Sequence, residues 1–316
     1  MAASTGNGAT PAPTKAPPKS PAKAPAKSPA RRVAPTPRGA GGAAVKRPAG
    51  GAARATAPAA AARRRTPRPA PRTLAIDIGG TGLKASVLDD RGNEVVDPVR
   101  VDTTYPMPPE RLVEVLGDLV APLPGYDRVS VGFPGMVRKN AILTAPHFVT
   151  KKGPGSRIIP ELSARWGGYP LGAAIEQRLG RPTRVANDAD VQGLAVIAGV
   201  GLELVVTLGT GVGTGLFYEG RLMPHLELAH HPFRHDETYN EQLGEAARKR
   251  IGRRRWNRRV RLAVDTLHNL LLYDRLYVGG GNSKRVDFDL GPKATVVDNA
   301  AGILGGLKLW ELQDPV

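Results

Sequence analysis

The stretch Asp77-Ile78-Gly79-Gly80-Thr81-Gly82 lies between two short apolar runs, Leu74-Ala75-Ile76 before it and Gly82-Leu83-Lys84-Ala85-Ser86-Val87-Leu88 overlapping its end. That spacing predicts a buried strand, a tight glycine turn and a hairpin partner. A backbone that turns so tightly keeps the N–H groups of the turn free, and glycine allows close approach to them. Such a turn can cradle phosphate oxygens, with Thr81 adding a hydroxyl and Lys84 a cation. It can equally be an ordinary hairpin turn beside a solvated strand lysine.

Working outward, Asp90-Arg91-Gly92-Asn93 is a turn and residues 94–101 suit a third strand. Apolar positions Leu112, Val113, Val115, Leu116 and Leu119 fall on one face of a helix over residues 109–119. Residues 128–133 read as a strand, 171–179 as a helix, 183–185 as a strand and 189–198 as a helix. A second glycine hairpin, Thr207-Leu208-Gly209-Thr210-Gly211-Val212-Gly213-Thr214-Gly215, joins strands at residues 204–208 and 215–218. Residues 239–272 look predominantly helical, 275–278 form a strand, and 299–309 form a closing helix. This is an α/β order in two related lobes, and ligands usually sit in the cleft between such lobes.

Composition separates the first 72 residues from the rest. They hold no Asp or Glu and 15 of the 45 basic residues, leaving 30 basic against 28 acidic residues beyond them. Nearly all of the net charge of +17 therefore belongs to a tail, and the lobes are close to neutral. Repeats such as Pro21-Ala22-Lys23-Ala24-Pro25-Ala26-Lys27 bring too few bulky apolar groups to offset ordering entropy, so a disordered tail is expected over 1–72. It has no apolar h-region of an export signal, and no apolar run elsewhere approaches the roughly 20 residues that span a bilayer. A soluble chain without membrane contact, cytoplasmic in location, is expected. Zero cysteines exclude disulfides, thiol catalysis and cysteine-ligated zinc.

Several motifs occur in the order and spacing of the ROK-family sugar kinases. They are residues 76–84, Val131-Gly132-Phe133-Pro134-Gly135, Val185-Ala186-Asn187-Asp188-Ala189-Asp190, the turn at 207–215, Glu227-Leu228-Ala229-His230, Leu276-Tyr277-Val278-Gly279-Gly280-Gly281 and Asp298-Asn299-Ala300-Ala301-Gly302. The chain resembles that family over about residues 74–312, and its polyphosphate glucokinase branch most. The resemblance implies a two-lobed actin-like ATPase (ribonuclease H-like) fold, with lobes at 73–190 and 191–316 and two phosphate clamps facing across the cleft.

It also implies site residues. Asp188 would be the catalytic base; from local sequence alone Asp188 or Asp190 is as readily a helix cap. The sugar would be held by Gly135, Asn187, Asp188, Glu227, His230 and Glu237. Glu227 and His230 match the family's Glu-x-Gly-His clamp, although Ala229 replaces its glycine and His147 stands where Asn is usual, which leaves the hydroxyl preference open. The phosphoryl donor would meet Asp77, Gly79, Gly80, Thr81, Lys84, Thr210, Gly211, Gly213, Gly280 and Gly281. The triple glycine at 279–281 is equally a strand-to-helix turn. Asp77 would position Mg2+ through water. The family's structural zinc is not expected, and His225, His230, His231 and His235 divide instead between sugar contact and surface.

The implied activity is transfer of a terminal phosphoryl group from polyphosphate or ATP to the 6-hydroxyl of glucose or a related hexose, by a homodimer. Nine basic residues crowd positions 248–261, among them Arg250, Arg253, Arg254, Arg255 and Arg258. They form either a track for polyphosphate or the solvated face of a helix whose Trp256, Val260 and Val264 dock on the core. The tail is a candidate for non-specific contact with nucleic acid or polyphosphate. The alternative function is a non-catalytic ROK-type sugar sensor that binds nucleic acid through this tail.

Overall fold

The apolar run before the first glycine turn forms β1 (Thr73–Ile78), buried at every position except Asp77. In the computed structural model, which describes residues 70–298 and 301–312, the expected tail lies outside the described residues up to position 69. Strand β2 (Gly82–Leu88) pairs antiparallel with β1, setting Lys84 opposite Asp77. Strand β3 (Val99–Asp102) extends the meander. It is shorter than the expected 94–101, with only a single bridge from Glu94 to Leu88 before it, because Pro98 has no N–H for a ladder.

Helix α1 (Pro109–Val120) buries Leu112, Val113, Leu116 and Val120 on one face. Each such side chain contributes about 1.5–3 kcal/mol when fully buried. Strand β4 (Arg128–Phe133) then runs parallel to β1. A small hairpin, β5 (Val137–Arg138) with β6 (Ala141–Ile142), and the short helix α2 (Pro160–Trp166) follow; periodicity did not disclose them. Trp166 anchors α2, fully buried among Phe133 and Phe148, with its Nε1–H donating to the Met107 carbonyl at 3.0 Å. Helix α3 (Leu171–Leu179) and strand β7 (Thr183–Asn187) complete a sheet ordered β3-β2-β1-β4-β7.

Helix α4 (Asp188–Val196) stops two residues before the expected end. The N–H groups of Ala198, Gly199 and Val200 turn instead to the buried Glu203 carboxylate, at 2.7–3.2 Å. A second meander follows, β8 (Leu202–Leu208), β9 (Val212–Tyr218) and β10 (Arg221–Leu222), and then a hairpin of β11 (Pro232–Arg234) and β12 (Glu237–Thr238). The expected long helix over 239–272 is three: α5 (Tyr239–Leu243), α6 (Glu245–Ile251) and α7 (Arg253–Leu271). Gly244 and Gly252, both in non-helical conformations, divide them. Strands β13 (Arg275–Gly279) and β14 (Ala294–Val296) give the second sheet the order β10-β9-β8-β13-β14, the same 3-2-1-4-5 plan as the first.

Helix α8 (Ala301–Lys308) overturns one expected boundary. The sequence places residues 191–316 in the second lobe and a helix from 299; positions 299 and 300 lie outside the described residues, and α8 packs on the first sheet. Ser130 Oγ donates to the Gly306 carbonyl at 2.5 Å, and Trp310 Nε1–H donates to Ser130 Oγ at 2.9 Å. The guanidinium groups of Arg128 and Arg184 lie over the Trp310 ring at 5.3 and 4.8 Å. Gly305 permits this crossing, since a Cβ there would collide with the Val191 carbonyl of α4. Between the sheets, Ala186, Val191, Leu194, Val205, Phe217, Tyr277 and Leu309 form a shared core. Among the described residues no helix is long and apolar enough to cross a membrane.

Candidate active site

The parallel strands β1, β4 and β7 point their carboxyl ends at one cleft, where open α/β sheets commonly bind ligands. A cavity of about 340 Å³ opens there. Its wall brings together Asp77, Gly79, Gly80 and Thr81 from the first turn, Gly135 after β4, and Asn187 and Asp188 at the β7–α4 junction. Thr210, Gly211 and Gly213 from the second turn, Glu227, His230, Gly280 and Gly281 complete the expected set.

Two expected residues are not in that wall. Lys84 sits on β2 opposite Asp77, where its charge partly offsets the rise that burial causes in the Asp77 carboxyl. Glu237, on β12, faces Gln242 and pairs with Arg250 at 3.6 Å. The bulged β11–β12 hairpin carries it away from the cavity.

The first turn is braced from β3 and the segment after it. Thr103 Oγ1 donates to the Gly79 carbonyl at 2.8 Å and the Tyr105 hydroxyl to the Gly80 carbonyl at 2.5 Å. Among the described residues the N–H groups of Gly80 and Thr81 have no partner. The second turn repeats this arrangement. Val212 N–H donates to Asn240 Oδ1 at 2.6 Å and Gly213 N–H to Thr207 Oγ1 at 3.1 Å, while the N–H groups of Thr210 and Gly211 stay unpaired among the described residues. Gly280 has φ +85° and lies so near β8 that a Cβ would collide with the Leu208 backbone, whereas a Cβ on Gly281 would meet nothing within 4 Å. Steric need thus governs Gly280, and open space adjoins Gly281.

Asn187, expected to hold sugar hydroxyls, has its amide committed within the chain. Its Nδ2 donates to the Phe133 and Gly135 carbonyls at 3.4 and 3.0 Å, and its Oδ1 accepts from the N–H groups of Ala189 and Asp190. Asn187 is therefore the N-cap of α4, a role expected of Asp188 or Asp190. Asp188, the first residue of that helix, is half-buried and borders the cavity. Burial and then the negative charge of Asp77 push its carboxyl up to about 7, against a hydrogen bond from Ala189 N–H at 2.9 Å. Asp77 is also raised by burial between the lobes, although its carboxylate remains open to solvent through the cavity mouth.

His225 is not a surface residue; it borders the cavity. Its side chain is 3% exposed, with Nδ1 2.9 Å from Asp190 Oδ2 and Nε2 3.7 Å from Glu227 Oε2. Burial raises the Glu227 carboxyl, but His225 outweighs it and the net shift is downward. His147 borders the same cavity, lowered by burial and by His230. Ala229 takes its place without a positive φ, so the backbone there tolerates alanine. His231 and His235 are exposed, as expected. Asp190 and His225 are 35 positions apart, and only the fold joins them.

Trp256, Val260 and Val264 are buried on the core side of α7, as the helical spacing expects. Arg253 pairs with Asp287 at 3.3 Å and Arg250 with Glu237. Arg254, Arg255 and Arg258 are exposed and lack ion-pair partners among the described residues. None of the five lines the cavity.

Comparison with known proteins agrees with this geometry. Residues 73–227 match the ROK family. Polyphosphate glucokinase of Mycobacterium tuberculosis (strain CDC 1551 / Oshkosh) is 27% identical over 225 residues, covering 67% of this chain and 78% of the relative. The crystal structure of an inorganic polyphosphate/ATP-glucomannokinase from Arthrobacter sp. strain KM superposes with a TM-score of 0.63 at 30% identity, covering 75% of this chain and 97% of that one. A ROK family glucokinase from Streptomyces griseus shares the fold at 21% identity and a TM-score of 0.58, over 75% of this chain and 98% of its own. By sequence and by its two-lobed actin-like architecture, the chain belongs to the ROK family.

Proposed function

We propose that this chain is an Mg2+-dependent hexose kinase that transfers the terminal phosphoryl group of polyphosphate or ATP to the 6-hydroxyl of glucose. The observation that carries this reading is Asp188, a carboxylate with its pKa raised to about 7 in the wall of a cavity shared by both glycine turns. A base with a pKa near the working pH accepts the hydroxyl proton efficiently as the oxygen attacks phosphorus. Glu227, held ionised, and His230 supply an acceptor and a donor for neighbouring sugar hydroxyls. The unpaired N–H groups of Gly80, Thr81, Thr210 and Gly211 suit phosphate oxygens approaching from the two lobes.

The residues present fit a hard cation. Asp77 offers an oxygen ligand with no hydrogen-bond partner among the described residues, and it borders the cavity beside the first turn. Asp77 would hold Mg2+ through water, and the ion when bound offsets charge on the transferring group. The names of the relatives, polyphosphate glucokinase and polyphosphate/ATP-glucomannokinase, support a hexose acceptor and both donor types. Arg254, Arg255 and Arg258 lie outside the cavity, where a nucleotide would not need them and a long polyanion would. The basic residues of the tail suit the same class of polyanion.

The test is a donor comparison on the purified full chain with glucose and Mg2+, reading glucose 6-phosphate. Turnover with polyphosphate, ATP or both is the expected result. Absence of hexose phosphorylation with either donor refutes the proposal.

A further inference from the structure

Glu227 is hydrogen-bonded at one carboxylate oxygen and faces an ion-pair partner at the other, His225 Nε2, which has no hydrogen-bond partner among the described residues. Oε1 accepts from the Ala229 N–H at 3.2 Å, and Oε2 faces His225 Nε2 at 3.7 Å. The other ring nitrogen of His225 lies 2.9 Å from Asp190 Oδ2, and Asp190 is fully buried on α4. One imidazole therefore spans two carboxylates. A neutral ring has one N–H, so donation to Asp190 would leave a bare lone pair aimed at the Glu227 oxygen. With both carboxylates ionised, only the imidazolium turns an N–H toward each; burial raises the Asp190 carboxyl, and the hydrogen bond and charge of His225 oppose that rise.

We infer that His225 is a permanently charged bridge, anchored by Asp190, that fixes the Glu227 carboxylate for hexose binding. It is a positioning residue and acts through Glu227. The groups that face it are Asp190 from α4 and Glu227 from its own segment; Glu227 in turn also feels His230. Burial opposes the charge on His225, but the hydrogen bond to Asp190 and the negative charges of Asp190 and Glu227 outweigh it and hold the ring up to about 10. The local sequence carries the same message in retrospect: a Pro224-His225-Leu226-Glu227 segment puts the two functional groups two residues apart, and the Leu226 carbonyl between them is pinned by the Thr214 hydroxyl at 2.5 Å.

The inference rests on the hexose-kinase reading for its binding arm and not for its protonation arm. In full-length protein labelled with 15N-histidine, the resonance pair lost in His225→Gln should show both ring nitrogens protonated at about pH 8, where an ordinary histidine of pKa about 6.5 is neutral. A single protonated nitrogen there overturns the bridge, whether or not the protein proves to be a kinase. Calorimetry with glucose supplies the second arm. His225→Gln should weaken glucose about 10- to 100-fold, the usual effect of removing a group that orients a ligand-binding residue. Asp190→Asn should weaken glucose in the wild-type background and add nothing in the His225→Gln background. Unchanged glucose affinity in His225→Gln, or additive losses in the double variant, overturns the positioning role. Wild-type protein that binds no hexose instead refutes the proposed function, and the nitrogen spectrum then decides the bridge alone.

Discussion

Neutralising Asp188 as Asp188→Asn should sharply lower turnover while stabilising the fold near neutral pH, and the size of the second effect follows from its environment. Its carboxyl stands at about 7 in the folded chain against 3.8 for a free side chain. The folded state therefore holds the proton more tightly than the unfolded state. Between those two values stability falls as pH rises; the contribution is present in full below 3.8 and is gone above about 7. Integrating between about pH 5 and pH 8 gives a loss of roughly 2 to 3 kcal/mol from this one group. Urea unfolding of the wild type and Asp188→Asn, without Mg2+ or donor, should show this slope in the first and its absence in the second. The kinetic counterpart is a kcat/KM for hexose that falls about tenfold per pH unit below about 7, because only the ionised carboxylate accepts a proton. Asp188→Asn should lower turnover by about 10²- to 10⁴-fold, the usual range for a general base. Parallel pH–stability curves for the two proteins, together with a kcat/KM that stays flat from about pH 5 to 8, would refute a raised Asp188 acting as base.

Two further perturbations probe the donor side. Reversing charge at Arg254, Arg255 and Arg258 should weaken polyphosphate more than ATP and flatten the salt dependence of its KM, with equal effects on both donors ruling out a polyanion track. Gly280→Ala should destabilise the chain by about 1–3 kcal/mol, since φ +85° and contact with the Leu208 backbone leave no room for a methyl group, whereas Gly281→Ala should leave the unfolding midpoint unchanged and raise the donor KM; similar midpoints for the two variants would contradict that division.

Much of the fold was legible because strand and helix periods coincide with burial. The run over 128–133 and the helix over 171–179 match β4 and α3 residue for residue, each with one apolar face or a wholly buried core. Legibility failed where long-range contacts decide. Gly305 and Gly306 look like flexible residues in a closing helix, yet they are small so that α8 can cross α4 and reach Ser130 on the first sheet. Gly244 and Gly252 each interrupt a helical pattern that is otherwise continuous, and a helical period alone does not register the breaks. The Glu203 carboxylate ends α4 from across a loop, which leaves no periodic trace at all.

The site was legible as a set of residues and less so as a set of roles. Asp77, Asp188 and Glu227 are expected site carboxylates in one cavity wall, and Asp190, expected at most as a helix cap, is buried near them; the motifs do not say how the four differ. Their environments separate them. Asp188 is driven upward by burial and by Asp77, which suits a group that must take a proton. Glu227 is driven downward because a histidine cation offsets its burial, which suits a group that must stay an acceptor. Asp190 is enclosed, and among the described residues its carboxylate has one hydrogen-bond partner, His225. Asp77 keeps an open face, and Lys84 opposite it partly offsets the rise that burial causes in its carboxyl. The end of β1 brings Asp77 and the start of α4 brings Asp188 and Asp190, while Glu227 arrives with His225 on a loop 35 residues beyond Asp190.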